Sequence, residues 1–339
     1  MQPFIAVPCI AALLFRAYRS KSLTLLALVT AAVTATIHAL HPSALPFTLL
    51  GVFFLLGTQA TKVKHDVKSG ITLSSSGHAG GEGSRTTIQV LANSGCASVL
   101  CLAHIFRYGI GAKLSCVGED GISDLLLVGI VCNYLAVTAD TLSSELGILA
   151  KQQPRLITQP WKTVPRGTNG GVTLRGVGYG WVGSLVIGLT SVLLIPFCKL
   201  ESKAGAVLQT TKGRPYSLSE KAVLAFAFSI WGAIGSLLDS LLGAVLQASV
   251  IDKKTGKIVE GTGGIKVLLQ STPREPPYQG KPAVLKDAKT GKEVKLEPKH
   301  ERKHSREISS GRDLLDNNQI NLLMASTMSI WGMAVAATI

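Results

Sequence analysis

The densest polar signal in this chain is the run Asp140-Thr141-Leu142-Ser143-Ser144-Glu145-Leu146-Gly147. In a helix, Thr141 and Glu145 stack on one face, as do Asp140 and Ser144. Two carboxylates beside hydroxyls are suitable oxygen ligands for Mg²⁺, which often takes one or two carboxylates together with substrate phosphates. A helix end with solvated carboxylates would read the same way. Downstream come Arg155, Lys162 and then Pro165-Arg166-Gly167-Thr168-Asn169-Gly170-Gly171-Val172. The three glycines can take positive φ and turn successive backbone N–H groups toward an anion, and a helix beginning near Val172 would add its positive end. No Gly-Lys-Ser/Thr follows, so this is not a P-loop. A simple turn is the alternative.

Asp239 lies inside the apolar stretch 226–246, where an ionisable residue faces the interior and carries function or pairs with a partner. Gly235, Asp239 and Gly243 share one helical face, beside a stripe of Gly232, Ser236, Ser240, Ala244 and Ala248. Asp316-Asn317-Asn318 opens the last apolar segment; one such residue would serve as a helix cap, and three exceed that need. Arg85 and Asn93 flank the start of the fourth segment. The constellation assigns catalysis to Asp140, Glu145, Asp239 and Asp316. It assigns phosphate and substrate binding to Arg85, Asn93, Arg155, Arg166, Thr168, Asn169, Gly170, Gly171, Asn317 and Asn318, with Asp140 and Glu145 as the Mg²⁺ ligands.

These residues sit among apolar segments at about 3–15, 22–40, 44–60, 88–106, 122–139, 176–198, 222–250 and 319–339. A bilayer crossing needs about 20 apolar residues in helix. Hydrophobic residues make up 47% of the 339 and charged residues 16%, with mean hydropathy +0.35; an ordinary soluble domain carries roughly 25% charged residues. The expected fold is an all-α, polytopic transmembrane bundle of seven or eight spans with glycine-rich helices, one integral membrane domain over 1–339. The hydrophilic segment 251–318, dense in Lys, Glu and Pro, is expected to be largely disordered and dispensable for chemistry. The six cysteines form no CxxC pair and read as small apolar residues. The N-terminus is expected to be a short first span, because Arg16, Arg19 and Lys21 follow the apolar run, the reverse of a signal peptide's order.

A net charge of +14 without a zinc-finger spacing or RNA-binding signature points to basic loops, and no nucleic-acid partner is expected. Loops 16–21, 61–87, 140–175 and 251–318 carry net charges of +3, +2, +3 and +5, against 0 and +3 for 107–121 and 199–221. The positive-inside rule places the first set in the cytoplasm, on the side of the polar motifs.

The segments ADTLSSELGILAKQQPRLIT (139–158), VPRGTNGGVT (164–173), GSLLDSLLGAVLQ (235–247) and LLDNNQINLL (314–323) resemble the transmembrane protein 19 family of integral membrane proteins. The resemblance runs from about residue 22 to the end. Two departures stand out: the insertion at about 251–311 is longer than the family's usual loop, and Leu142 stands where many relatives carry Trp. The family includes members described as phytyl-phosphate kinases. The resemblance therefore implies a membrane-embedded kinase that phosphorylates an isoprenoid or other lipid monophosphate with a nucleoside triphosphate, CTP being expected, in the lipid bilayer. A transporter and a non-catalytic membrane scaffold are the competing readings. The expected location is an endomembrane, the endoplasmic reticulum.

Overall fold

The computed structural model describes residues 2–338 except 77, 82, 111–116, 118–120, 196–197, 200–213, 268–283, 287–292 and 296–305. It is mostly helical: α1 (Pro3–Arg19), α2 (Leu25–Leu40), α3 (Leu45–Lys62), the short α4 (His65–Ser69), α5 (Thr87–Tyr108), α6 (Gly121–Gly147), α7 (Leu174–Leu194), α8 (Leu218–Leu246) and α9 (Asn317–Ala336). Four of them, α5, α6, α7 and α8, are long and apolar enough to cross a bilayer, and α2 is a shorter apolar helix. That is fewer than the seven or eight spans expected, because α1, α3 and α9 are shorter or carry polar residues at their ends.

The long helix α6 is the axis. Of its most apolar stretch 72% is buried, against 28–39% for α5, α7 and α8. A helix apolar all round belongs inside a bundle, and α3, α5, α7, α8 and α9 all pack on it. Ile130, Val131, Tyr134, Leu135 and Val137 of α6 form the middle of the core with Leu45 and Leu49 of α3, Ile187 of α7, and Met324 and Met328 of α9. Since lipid tails are as apolar as these side chains, small residues that admit close van der Waals contact drive such packing. Gly176, Gly180 and Gly183 of α7 accordingly lie against Ser143, Ala139 and Leu142 of α6.

Helix direction alternates. The C-terminal ends of α3, α6 and α8 and the N-terminal ends of α2, α5, α7 and α9 meet at one end of the bundle, where they line a common cavity. Side chains cap the four N-termini there: Thr24 accepts from Ala27 N–H, Thr86 from Gln89 N–H, Thr173 from Gly176 N–H and Asp316 from Gln319 N–H. Thr86 and Asp316 each form a reciprocal box with the glutamine three residues on.

Short strands decorate this end, an addition to the all-α expectation. β1 (Leu73–Ser74), β2 (Arg155–Leu156), β3 (Gln159–Thr163) and β4 (Gly171–Val172) precede β5 (Cys198–Lys199) and β6 (Arg214–Pro215), which pair with each other. β7 (Ser249–Asp252), β8 (Ile258–Glu260), β9 (Val284–Lys286), β10 (Glu293–Lys295) and β11 (Arg306–Ser310) follow. β3-β2-β4 is an antiparallel sheet inside loop 140–175. β1-β8-β7-β11 joins the 61–87 loop to the 251–318 segment through a parallel β1–β8 pairing. The ends of the segment expected to be disordered are therefore built into the fold. Val250, Ile258 and Val259 supply a small buried apolar set that the polar composition of the whole segment masks.

The opposite end holds a different kind of polar cluster. His38 Nδ1 lies 2.7 Å from Thr34 O and its Nε2 lies 2.7 Å from the Tyr134 hydroxyl. A carbonyl can only accept, so Nδ1–H donates to Thr34, and Nε2 of that tautomer is the acceptor for the Tyr134 hydroxyl. His104 Nε2 meets Ser123 Oγ at 2.9 Å, and the His41 ring stacks 4.4 Å from that of His104.

Candidate functional site

The site is positioned by one close approach. A Cβ at Gly235 of α8 would fall 2.7 Å from Ala136 Cβ of α6, so only glycine allows the helices to meet there. The two run in the same direction, and one turn further along each stand Asp239 and Asp140. Both line the same cavity, of about 770 Å³. The antiparallel α9 brings Asn321 beside them. Its amide nitrogen donates to Asp239 Oδ1 at 3.1 Å and to Asn317 O at 3.2 Å. Asp239 thus has an amide as its partner here, and the buried ion pair that the sequence left open is not what this contact provides. Asp316 and Asn317 line the cavity too, with Asp316 engaged as the α9 cap.

Glu145 is placed in the cavity wall but is differently employed. Its Oε2 pairs with Lys68 Nζ at 2.5 Å and its Oε1 accepts from Thr61 Oγ1 at 2.7 Å. Lys68 and Glu145 are both nearly buried, and Lys68 also donates to Ala60 O at 2.9 Å. The pair clamps the loop helix α4 to the ends of α3 and α6. The ammonium neutralises the Glu145 carboxylate, the weaker state for the role of hard-cation ligand expected of it, while Asp140 and Asp239 line the same cavity. Among the described residues no group of three or more His, Cys, Asp or Glu is set to hold a metal by itself.

Arg85 faces the same wall. Its backbone is fixed on both sides by the α1–α2 linker: Arg85 N–H donates to Ser22 O at 2.9 Å and Thr24 N–H to Arg85 O at 3.0 Å. Its guanidinium donates to Thr61 Oγ1 at 3.4 Å and lies over Gly57, where a Cβ would sit 3.2 Å from either terminal nitrogen and 3.5 Å from Thr141 Cγ2. Asn93, one turn past Gln89, lines the cavity from α5; its Nδ2 donates to Gln89 O at 2.8 Å, and its own carbonyl accepts from Asn133 at 3.0 Å.

The glycine turn reaches the cavity with three of its N–H groups turned into the protein. Thr168 N–H donates to Pro165 O, Asn169 N–H to Ser249 Oγ at 2.9 Å and Gly171 N–H to Thr168 O, so these donors are satisfied within the protein. Gly170, at φ +76°, packs where a Cβ would fall 2.3 Å from Ala244 Cβ, and Asn169 Nδ2 donates to Ala248 O at 3.1 Å. The motif docks loop 140–175 on the small-residue face of α8. Arg166, at its start, donates to Lys151 O at 2.8 Å and is the cation this loop adds to the cavity lining.

Three expected residues are not brought in. Arg155 bonds Pro160 O at 3.0 Å inside its own hairpin, and neither it nor Lys162 of the exposed β3 lines the cavity. Asn318 is buried and donates to Gly263 O at 2.9 Å, anchoring the 261–264 turn to α9. Conversely, Thr61, Lys68, Lys266 and Asn321 belong to the lining and were missed. Lys68 and Glu145 are 77 residues apart, and no local pattern links them. Gly57 followed by Thr61 in an otherwise Leu- and Phe-rich helix, and Asn321 one turn after Asn317, were the available signals.

Four apolar helices long enough to span a bilayer define a multi-pass membrane protein, and a polar cavity opens at the end of it where alternating helix ends converge. The chain belongs to the integral membrane protein DUF92 family, whose pattern matches residues 8–329. It is 35% identical over 262 residues to Protein PGR of Arabidopsis thaliana, covering 75% of this chain and 84% of that one. An uncharacterized membrane protein of Methanocaldococcus jannaschii is 30% identical over 219 residues, 64% of this chain and 72% of its own. Protein VTE6, chloroplastic, of A. thaliana is 30% identical over 141 residues, 42% of this chain and 38% of its own. No solved structure matches the chain.

Proposed function

We propose that the protein is a membrane-embedded kinase that transfers the terminal phosphoryl group of a nucleoside triphosphate, CTP being the expected donor, to an isoprenoid or other lipid monophosphate. The observation that carries the reading is the cavity at the helix ends. There Asp140 and Asp239 stand on parallel helices with Arg85, Arg166 and four helix N-termini around them. Helix N-termini and guanidinium groups favour phosphates, and about 770 Å³ lies within the range of ligand sites.

In the reaction an oxygen of the lipid monophosphate attacks the γ-phosphorus, the bond from that phosphorus to the β-bridging oxygen breaks, and the nucleoside diphosphate leaves with the electron pair. A phosphate monoester is largely ionised at pH 7, its second pKa being about 6. The nucleophile therefore needs no general base, and the protein's task is positioning and charge neutralisation. Arg85 holds the acceptor phosphate and Arg166 offsets charge on the donor. Asp140 and Asp239 suit Mg²⁺ shared with nucleotide phosphates, an ion that would neutralise the β and γ oxygens. Asn317 and Asn321 orient Asp239. The Lys68–Glu145 pair positions α4 and, through Thr61, the Arg85 side chain.

All eight long helices cross the membrane in this reading, because their ends alternate between the cavity side and the far side. The cavity side, which gathers loops 61–87, 140–175 and 251–318, is cytoplasmic by their basic charge. The compartment proposed is the endoplasmic reticulum; the chloroplastic relative makes a plastid the competitor, which imaging of a tagged chain distinguishes.

The test is to incubate the purified protein with γ-labelled CTP, ATP and GTP and a panel of polyprenyl monophosphates. Formation of a labelled lipid diphosphate is expected. Its absence with every pair, from protein that remains folded, contradicts the kinase. Uptake into proteoliposomes would then test the transporter reading, to which Asp239 within α8 lends its weight.

A further inference from the structure

A second, apolar depression adjoins the polar cavity. It is a narrow groove of about 70 Å³ walled by Leu13 and Ala17 of α1, Ala31 of α2, Phe53 and Phe54 of α3 and Val90 of α5. Its polar members are satisfied by their own helices: Thr34 Oγ1 donates to Ala31 O at 3.1 Å and Ser94 Oγ to Val90 O at 2.8 Å. The walls are therefore apolar in effect. At one end the groove and the cavity share Arg85, Gln89 and Asn93. Away from that end it follows α1 from Ala17 to Ile10, seven residues or roughly 10 Å along the axis. That is about a third of a hydrocarbon core roughly 30 Å thick.

We propose that this groove seats the hydrocarbon chain of a single-chain lipid monophosphate, entering sideways from the bilayer between α1 and α5, with its phosphate on Arg85. The polarity runs the right way, with apolar walls at membrane depth leading to a guanidinium at the mouth of the polar cavity. The wall that would yield is α1. It packs chiefly on α2 through Ala17 and Ala27 and through Ala6, Ala35 and Ala39, small contacts that leave Leu13 and Ile10 turned to the groove. The same α1–α2 linker fixes the Arg85 backbone at Ser22 and Thr24, so chain seat and phosphate seat are one built unit. The proposal deepens the kinase reading by naming where its acceptor lies, but the groove can be tested without turnover.

The experiment uses the full chain in liposomes with a long-chain prenyl monophosphate that carries a photoreactive diazirine near the head of the chain. Crosslinks mapped by mass spectrometry are expected at Leu13, Ala17, Phe54 and Val90, and to fall at least tenfold when Arg85 is replaced by Ala or when the probe lacks its phosphate. Crosslinks confined to outward-facing residues such as Phe15, or equal for the phosphate-free probe, overturn the groove. Labelled product without groove crosslinks leaves the kinase standing and removes the groove. Groove crosslinks without product do the reverse. Filling the groove with Ala31→Trp, or with Leu13→Trp should the first variant fail to fold, should raise KM for the long-chain acceptor roughly tenfold or more while leaving dimethylallyl monophosphate unchanged. Equal KM values for the long chain in variant and wild type overturn the proposal as well.

Discussion

The two ends of this bundle are both rich in buried polar side chains, yet they are built on opposite electrostatic plans. At the far end, His38 bonds Tyr134 and the Thr34 carbonyl, and His104 bonds Ser123, all of them buried between the helices. At the cavity end, carboxylates, guanidinium groups and the ammonium groups of Lys68 and Lys266 stand around about 770 Å³ of space, with helix N-termini among them. A polar cluster that satisfies itself needs nothing from outside. A cluster of charges around a void is arranged for a charged ligand. The contrast teaches that the number of polar residues in a span says little, and that their ionisation and access to a cavity say what they are for.

The largest expected effect falls on the carboxylates. Asp239→Asn should lower turnover by roughly a thousandfold with the melting temperature kept, because its partner is the Asn321 amide and no cation is stranded. A destabilised but active Asp239→Asn would instead make the residue a structural element like those at the far end. Next comes the Lys68–Glu145 ion pair of the cavity wall. Glu145→Gln leaves Lys68 buried without its counter-charge and should cost about 3–5 kcal/mol in denaturant titration, while the double variant with Lys68→Met should recover a large part of that loss. A Glu145→Gln protein of unchanged stability would return Glu145 to the role of metal ligand.

The far end makes a smaller, pH-linked prediction. Burial, with the neighbouring His104 second, lowers His41 from its ordinary value to about 3. The unfolded chain then binds more protons than the native one between pH 6.5 and 3, so the stability this residue holds is fully present above about 6.5 and is lost as pH falls toward 3. Between pH 6.5 and 5 the loss is about 2 kcal/mol, at roughly 1.4 kcal/mol per unit, and His41→Gln should flatten that slope in thermal melts. A slope unchanged by the substitution would show that the far end is not held neutral by burial. The smallest effect belongs to Asn169→Ala, which removes the bond to Ala248 O and should cost about 1 kcal/mol with KM for nucleotide unchanged. A raised KM would restore the phosphate-binding role read from its motif.

The apolar helices and the gathering of the polar motifs at one end were legible in sequence, because apolar length and loop charge are local properties. The expected seven or eight spans, however, exceed the four helices long and apolar enough to cross a bilayer. Asp140, Asp239, Arg85, Arg166 and Asn317, singled out in the sequence as catalytic or phosphate-binding, all line the one cavity. What was not legible is who touches whom. Glu145 reads as a ligand until Lys68 is placed against it from a different loop. The glycine turn reads as an anion nest until Ser249 and Pro165 take its N–H groups. Asn318 reads as part of a polar triplet until helix geometry turns it inward to Gly263. Likewise β7 and β8 hide at the start of a segment whose average composition is hydrophilic, since Val250, Ile258 and Val259 suffice to bury them, and the mostly exposed β11 joins by backbone pairing with β7.

Phosphoryl transfer at the charged end is proposed to depend on Asp140 and Asp239, and Asp140→Asn puts that role to the test. Label transfer from γ-labelled CTP to a prenyl monophosphate is measured for the wild-type chain and for Asp140→Asn, each shown by thermal melting to be equally folded. Labelled lipid diphosphate from the wild type and none from Asp140→Asn, with any residual activity needing more Mg²⁺, is the predicted result. Full activity in Asp140→Asn would contradict the mechanism.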